Sequence, residues 1–283
     1  MELKGKLVII GGAEDKGTAE DQNDFTHHGI LKRIVEECRK KNKSRIEILT
    51  TASGTPEDSG RDYVEAFRKL DCSDIGVFLI TERDHAEEEE NIQRLQQADL
   101  VFVTGGDQLR LTSVLGGTTF FKTLVQKLET DKKFIYAGTS AGAAAVSENM
   151  LFEGNSTDAL LKGEVKSTSG FGFIRNVVFD THFIHRGRIG RLFQILITNP
   201  KLLGVGLEEN TGLLICDKKM EAIGPGMGII IDARTVKNTN LLEARDGTPL
   251  SIEGLTLHVI SKSDIYDLQT GELKIITPED CKA

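Results

Sequence analysis

The stretch KFIYAGTSAGAAAVS, residues 133–147, joins a short apolar segment to a helix-forming segment through a turn of small residues. The apolar segment is typical of a buried strand, and the alanines after the turn favour a helix. The first half of the chain repeats this order, and its apolar segments predict strands at 6–12, 45–53, 75–80, 99–106 and 133–140. Strands that are apolar throughout and are each followed by a helix predict a parallel sheet covered on both faces.

The remaining segments complete the predicted order of elements. Amphipathic spacing predicts helices at 29–41, 56–70 and 88–98, and a long helical stretch that ends near Asp131. Beyond Ala141 the pattern changes and predicts a strand at 173–183, a helix at 188–199, antiparallel strands within 202–217 and 220–232, and short strands at 255–260 and 272–276. Since no linker, repeat or low-complexity segment interrupts the chain, we predict one α/β domain over 1–283.

Composition and charge argue against several classes of protein. The chain has 283 residues and a net charge of −8, which argues against a general nucleic-acid binder. The apolar run near the N-terminus is too short for a signal peptide or a membrane span, so no membrane association is expected. The cysteines form no CxxC pair, which argues against thiolate metal sites and disulfides and indicates a cytoplasmic protein; they are Cys38, Cys72, Cys216 and Cys281.

Residues 138–142, with Ser140 at their centre, fit the pattern G-x-S-x-G. In this pattern a sharp bend between a strand and a helix projects the serine hydroxyl above the sheet, where it acts as a nucleophile. The backbone N–H of Ala141, in the first turn of the new helix, is placed to donate to an oxyanion. The alternative is a tight turn in which Ser140 only caps the helix.

A second glycine turn ends the preceding strand in VFVTGGDQLRL, 101–111. The carboxyl ends of parallel strands lie at one edge of a sheet, where ligands bind. Gly106 is therefore a candidate for a second oxyanion donor, and Gln108 a candidate for binding a substrate amide or carboxylate. The alternative is an ordinary loop in which Asp107 caps the next helix.

A serine nucleophile needs a base, and His182 is the best placed histidine because it lies at the end of a predicted strand, in VVFDTHF. Asp180 stands two residues earlier, so both side chains are expected to share one face of the strand. His185 is a weaker candidate that we expect to face away. The other histidines are expected to be structural or exposed; they are His27, His28, His85 and His258.

An acid that orients the imidazole would complete a triad. Glu208 and Glu209 in GVGLEENTG are the candidates, and Asp180 is a rival. The order serine, histidine, glutamate differs from that of α/β-hydrolases, and no HGGG-type loop is present, which argues against a lipase or esterase.

The six residues 186–191 contain three arginines, in an otherwise acidic chain; they are Arg186, Arg188 and Arg191. Positive charge is mildly unfavourable at the start of a helix, which suggests a functional reason for the cluster. Because arginine binds carboxylates in a bidentate manner, the cluster implies an anionic substrate.

Several motifs in this order resemble the cyanophycinases, a branch of a serine peptidase family that also contains α-aspartyl dipeptidase. They are GGAEDK (11–16), VFVTGGDQLRL (101–111), AGTSAGA (137–143), FGFI (171–174), DTHFIHRGRIGRL (180–192) and GVGLEENT (204–211). The fifth motif is the most specific, because the dipeptidase branch lacks it. The resemblance implies a flavodoxin-like three-layer α/β/α sandwich related to class I glutamine amidotransferases. Its sheet would be mostly parallel with additional C-terminal antiparallel strands, and the enzyme would be a homodimer.

The resemblance also implies a serine-type exopeptidase that needs no metal or organic cofactor. Its substrate would be cyanophycin, a poly-aspartate chain with arginine on each side-chain carboxyl, and its product the β-Asp-Arg dipeptide. By position, Ser140 would be the nucleophile, His182 the base and Glu209 the acid. The residues implied to line the substrate pocket are Gln108, Asp180, Thr181, Arg186, Arg188 and Arg191. Thr181 and His185 stand where glutamine is expected, which affects substrate contacts more than chemistry.

Other functions are consistent with the same residues. A peptidase of the same family acting on short aspartyl peptides is one, and a non-catalytic protein that binds peptides or amino acids is another. A glutamine amidotransferase would have cysteine in place of Ser140. The sequence leaves open whether attack occurs at chain ends or within the polymer, and whether lysine is accepted in place of arginine.

Overall fold

The computed structural model describes residues 3–18 and 22–277. Parallel strands alternate with helices up to the serine turn. The strands are β1 (Lys6–Ile10), β2 (Ile46–Leu49), β3 (Ile75–Phe78), β4 (Leu100–Val103) and β5 (Ile135–Thr139). The helices are α1 (Gln22–His28), α2 (Ile30–Glu37), α3 (Pro56–Arg68), α4 (Glu89–Gln97), α5 (Gln108–Leu115), α6 (Thr119–Thr130) and α7 (Ala141–Ala144), with 3₁₀ turns at Lys41–Lys43 and Asp84–Glu87.

The second half consists mainly of strands, with one long helix, α8 (Ile189–Thr198), among the described residues. Before this helix come β6 (Asn149–Glu153), β7 (Lys166–Ser169) and β8 (Val177–Thr181). After it come β9 (Leu203–Leu207), β10 (Gly212–Cys216), β11 (Lys219–Ile223), β12 (Met227–Asp232), β13 (Asn238–Thr239), β14 (Ile252–Glu253), β15 (Thr256–Ser261), β16 (Ile265–Asp267) and β17 (Leu273–Lys274).

Nine strands of the described chain form one central sheet in the order β17-β16-β11-β10-β1-β5-β4-β2-β3. The five strands from β1 to β3 in this order run parallel, and the others pair antiparallel. Strands β4 and β5 are buried at every position, as expected of strands covered on both faces. The predicted parallel sheet with C-terminal antiparallel strands is confirmed.

Two apolar clusters cover the two faces of this sheet. Helices α2 and α3 contribute Ile34 and Phe67 to one cluster. Helices α4 and α6 contribute Leu95 and Leu124 to the other. Since each helix buries one apolar stripe against the sheet, the molecule has the predicted three layers. The prediction of one domain over the whole chain remains a prediction.

A second sheet of four strands lies in the C-terminal half of the described chain, in the order β15-β12-β9-β8. Strands β8 and β9 run parallel, so their carboxyl ends lie side by side. His182 follows β8, and Glu208 and Glu209 follow β9. The base and the acid therefore leave a different sheet from the one that carries Ser140, and the sequence pattern did not predict this division.

Two helix predictions need correction. The long helix ending near Asp131 is two helices, because the chain turns at Gly116 and Gly117, where Gly117 has a φ of +79°. The helix after Ser140 has only four residues, since the next carbonyls form tertiary rather than helical hydrogen bonds. For example, the N–H of Phe171 donates to the carbonyl of Ala145 at 2.6 Å.

The cysteines of the described residues are free thiols. Cys38 and Cys72 are buried free thiols and Cys216 is a half-buried one, while Cys281 lies outside the described residues. Burial raises the pKa of the Cys38 thiol to about 12. None of the described helices has the length and apolar character needed to cross a membrane.

Candidate active site

Ser140 stands at the bend between β5 and α7, with a φ of +50° and a ψ of −105°. This backbone conformation is strained for a non-glycine residue and persists only where the surrounding structure holds it. The positions two residues before and two residues after Ser140 require glycine. A Cβ at Gly138 would lie 2.4 Å from the carbonyl oxygen of Gly142, and a Cβ at Gly142 would lie 2.6 Å from that of Val103. The sequence pattern G-x-S-x-G therefore forms the predicted strand–turn–helix bend.

A line of hydrogen bonds joins Ser140, His182 and Glu209. The Oγ of Ser140 lies 3.1 Å from Nε2 of His182. Nδ1 of the same ring lies 2.6 Å from Oε1 of Glu209. The hydrogen bond to His182 lowers the pKa of Glu209, so the group is an ionised acceptor near neutral pH. The proton of the neutral ring then resides on Nδ1, which leaves Nε2 free to accept from the serine hydroxyl.

The structure distinguishes the three acids that the sequence left as alternatives. Glu208 Oε2 accepts the backbone N–H groups of Ile184 at 2.5 Å and His185 at 2.9 Å, so it holds the loop after the histidine. Asp180 pairs with arginines. Of the three carboxylates, Glu209 is the one that contacts the imidazole.

The end of β1 holds all three segments of this site, a feature that the sequence analysis did not predict. Three consecutive carbonyls accept backbone N–H groups: Ile10 from Ser140 at 3.0 Å, Gly11 from His182 at 2.9 Å and Gly12 from Asn210 at 2.9 Å. These bonds align the central sheet with both loops of the second sheet. The sequence signal for this arrangement is the Gly11–Gly12 pair in the motif GGAEDK.

Position 12 also requires glycine because there is no room for a side chain beside His182. A Cβ on this residue would lie 2.4 Å from both Cε1 and Nε2 of His182, and its φ of +105° disfavours other residues. His182 itself has a φ of +51°. The imidazole of His182 therefore packs directly against the backbone of Gly12, and its orientation depends on that contact.

The second glycine turn lies against Ser140. A Cβ on Gly105 would lie 3.3 Å from the Cβ of Ser140, and Gly106 has a φ of +140°. Asp107 caps α5 by accepting from the N–H of Leu109 at 2.7 Å. In the described part of the chain, the N–H groups of Gly106 and Ala141 have no hydrogen-bond acceptor. Both are thus available to an oxyanion, and their role in binding one remains a prediction.

Two of the three arginines are engaged with Asp180 beneath the site. Nε of Arg191 lies 3.2 Å from Asp180 Oδ2, and both side chains are about 95% buried, with 5% and 4% exposed. Nη1 of Arg188 donates to the carbonyl of Thr181 at 2.9 Å and lies 3.4 Å from Asp180 Oδ1. Burial raises the pKa of Asp180, and the two arginines oppose this shift.

The other predicted substrate residues differ in exposure. Arg186 is exposed, Thr181 is buried, and Gln108 is half-buried with its Nε2 donating to the carbonyl of Leu151 at 3.1 Å.

Asp180 contacts arginines whereas His182 contacts Ser140 and Glu209, because the left-handed backbone at His182 ends the alternation of β8. The expected pairing of these two side chains on one face therefore does not occur.

One group among the described residues has metal-ligand spacing. His185, Glu208 and Glu209 each offer a donor atom within 4.8 Å of the other two. His185 is exposed, but its ring lies near the two glutamates instead of facing away from them. A separate cavity of about 610 Å³ lies near the start of β1, lined in part by Leu3, Phe173 and Cys216, and contains none of the predicted site residues.

Comparison with known proteins defines the class as a serine-type peptidase. The model of peptidase family S51 matches residues 7–223. The chain therefore belongs to peptidase family S51.

Curated relatives extend the match over most of the chain. It is 34% identical to a cyanophycinase of Synechococcus elongatus over 272 residues, covering 96% of this chain and 81% of the relative. It is 31% identical to a cyanophycinase of Geminocystis herdmanii, covering 95% and 96%. The family resemblance drawn from the motifs is confirmed.

Solved structures share the fold. A crystal structure of a peptidase from an acI-B1 Actinobacterium aligns with a TM-score of 0.60 at 20% identity, covering 91% of this chain and 96% of that one. A putative peptidase E from Listeria monocytogenes aligns with a TM-score of 0.51 at 17% identity, covering 78% and 98%. The flavodoxin-like α/β fold is confirmed.

Proposed function

We propose that this peptidase hydrolyses the poly-aspartate backbone of cyanophycin and releases β-Asp-Arg dipeptides through an acyl-enzyme on Ser140. The observation that carries the proposal is the hydrogen-bonded line from Ser140 Oγ through His182 to Glu209, with distances of 3.1 Å and 2.6 Å. The cyanophycinases that it resembles along 81% and 96% of their length suggest the substrate.

In the first half of the proposed reaction, His182 Nε2 takes the proton of the Ser140 hydroxyl as Oγ attacks the scissile carbonyl carbon. Glu209 holds the Nδ1–H and stabilises the imidazolium that forms. The N–H groups of Gly106 and Ala141 donate to the oxyanion of the tetrahedral intermediate. The C–N bond then breaks, and the imidazolium gives its proton to the leaving amine.

In the second half, water attacks the acyl ester. His182 removes a proton from the water, a second tetrahedral intermediate forms, and the C–O bond to Ser140 breaks as Oγ regains a proton. The enzyme returns to its starting state with the dipeptide released. The side chains that carry out both halves need no metal ion.

The proposed substrate site uses the exposed and the buried arginines differently. Arg186 is exposed and would bind a substrate carboxylate directly. Arg188, Arg191 and Asp180 would shape the floor of the pocket through their mutual ion pairs. Gln108 is half-buried and would contact the aspartate backbone, whereas Thr181 is buried and would act through its carbonyl, which accepts from Arg188.

Incubation with purified cyanophycin tests the proposal, with mass analysis of the released products and of the remaining polymer. Release of β-Asp-Arg by the unaltered protein and none by Ser140→Ala supports it. Hydrolysis of short aspartyl peptides alone would indicate the other branch of the family, and binding without hydrolysis would indicate a sensor. Dipeptide that accumulates from the start without fragments of intermediate length indicates attack at chain ends.

A homodimer and a cytoplasmic location are parts of the same proposal, drawn from the resemblance and from the free cysteines. Sedimentation equilibrium of the purified protein tests the first. A mass of twice 31.1 kDa is the expected result.

A further inference from the structure

A buried carboxylate lies behind the nucleophile and takes no part in the proposed proton transfers. Glu14 is 3% exposed. Its Oε2 accepts a hydrogen bond of 2.5 Å from the hydroxyl of Thr139, and its Oε1 accepts one from the hydroxyl of Tyr63. None of the ion pairs among the described residues includes Glu14. Burial of such a group is costly unless it is hydrogen-bonded, so these two bonds account for its presence there.

Both partners are themselves fixed. Thr139, 3% exposed, is the last residue of β5 and directly precedes Ser140. Tyr63 is buried on α3 and packs against Phe102 with the two rings tilted and their centroids 4.6 Å apart. Burial, together with the charge of Glu14, raises the pKa of Tyr63, so the phenol remains a donor. Glu14 thus connects α3 to the strand that ends at the nucleophile.

We propose that Glu14 is a positioning residue, which holds Thr139 and so keeps Ser140 in the strained conformation that directs Oγ toward His182. The inference rests on the proposed role of Ser140. Two contacts then oppose relaxation of the bend: the backbone bond from Ser140 N–H to Ile10, and the side-chain bond from Thr139 to Glu14. Both come from β1 and the residues that follow it.

The expected effect is on the reactivity of Ser140 rather than on substrate affinity. Displacement of a reacting group by about 1 Å costs on the order of a hundredfold in rate. Thr139→Val keeps the shape of the side chain but loses the hydroxyl, so we expect the rate of Ser140 labelling by a fluorophosphonate, and kcat, to fall by roughly 10- to 100-fold. KM for cyanophycin should change less than about twofold, since uniform binding is retained.

Matched variants separate this role from general destabilisation. Thr139→Ser keeps the hydroxyl and should be labelled at close to the unaltered rate. Glu14→Leu is close in size but has no oxygen to accept from the Thr139 hydroxyl, and should slow labelling to a similar extent as Thr139→Val. The double variant should be no slower than Thr139→Val alone, because both substitutions remove one interaction. Thermal unfolding identifies any variant that does not fold. If the Glu14 variant does not fold, the comparison of Thr139→Ser with Thr139→Val alone tests the inference.

Labelling of Thr139→Val at the unaltered rate would overturn the inference. So would equal losses in Thr139→Ser and Thr139→Val, or a double variant whose loss is the product of the single losses. If the unaltered protein is not labelled at Ser140 at all, the proposed function fails and this inference fails with it. Labelling of the unaltered protein with no difference among the variants leaves the function intact and rejects the role of Glu14 alone.

Discussion

The two halves of the candidate site are built in different ways. Ser140 directly follows the central strand β5, and the glycines on either side of it are in close contact with backbone. His182 and Glu209 stand on loops that leave a second, smaller sheet. Three consecutive carbonyls at the end of β1 join the two halves. The comparison shows that the nucleophile is a local feature of the chain, whereas the base and acid depend on long-range alignment of two sheets.

Neutralising the acid should have the largest effect. Glu209→Gln keeps the side chain's shape but removes the charge that stabilises the imidazolium, so kcat should fall by about 10⁴-fold, as loss of the equivalent charge does in another serine peptidase. Glu208→Gln is the matched control, since Glu208 contacts backbone N–H groups instead of the ring. Steady-state kinetics with cyanophycin measure both. Similar losses in the two variants would contradict the assignment of Glu209.

A substitution at Gly12 tests whether the end of β1 aligns the two sheets. Gly12→Ala would place a methyl group 2.4 Å from the ring of His182, so the imidazole must shift. We expect kcat to fall by roughly a hundredfold. Gly54→Ala is the control, because a Cβ there meets nothing within 4 Å. A fully active Gly12→Ala protein would mean that the end of β1 does not orient the base.

Arg191 is buried in the arginine segment and Arg186 is exposed, so their substitutions should have different effects. Arg191→Ala leaves the buried Asp180 carboxylate without one partner, and loss of one member of a buried pair costs about 3–5 kcal/mol in the free energy of unfolding. Arg186→Ala removes an exposed side chain, so stability should be unchanged while KM rises. Urea unfolding and steady-state kinetics give the two quantities. An Arg191→Ala protein of unaltered stability would count against the ion pair.

The smallest expected effect concerns pH and stability. The pKa of Glu209 is lowered in the folded protein by its hydrogen bond to His182, so this contact stabilises the fold above the ordinary carboxylate range. The contribution is lost as pH falls through the lowered pKa. The gain of the unaltered protein over Glu209→Gln in free energy of unfolding should therefore shrink in acid, and it should be modest and salt-sensitive because the pair is partly exposed. A gain that grows in acid would contradict this sign.

Local features of the site could be predicted from the sequence. The strand–turn–helix bend at Ser140 and the five parallel strands follow from short apolar segments and glycine turns, which are encoded within a few residues. The break between α5 and α6 was missed because Gly116 and Gly117 lie inside an otherwise helical pattern. The short α7 was missed because tertiary hydrogen bonds override the helix propensity of its alanines.

Long-range features could not be predicted in the same way. Nothing in the local pattern of β8 and β9 indicates that they pair in a separate sheet. The choice of Glu209 over Glu208 depends on the direction in which one loop turns. The burial of Arg191 and Asp180 depends on α8 packing over the second sheet, so the arginine cluster, which is predicted from the sequence to bind an anionic substrate, is partly interior.

The most direct test of the account is the site of covalent labelling by a fluorophosphonate, located by mass analysis of proteolytic peptides. The account predicts one adduct per chain, on Ser140, that forms slowly in the protein carrying Gly12→Ala and does not form in Ser140→Ala. An adduct on another residue, or none under conditions where the protein cleaves cyanophycin, would contradict it.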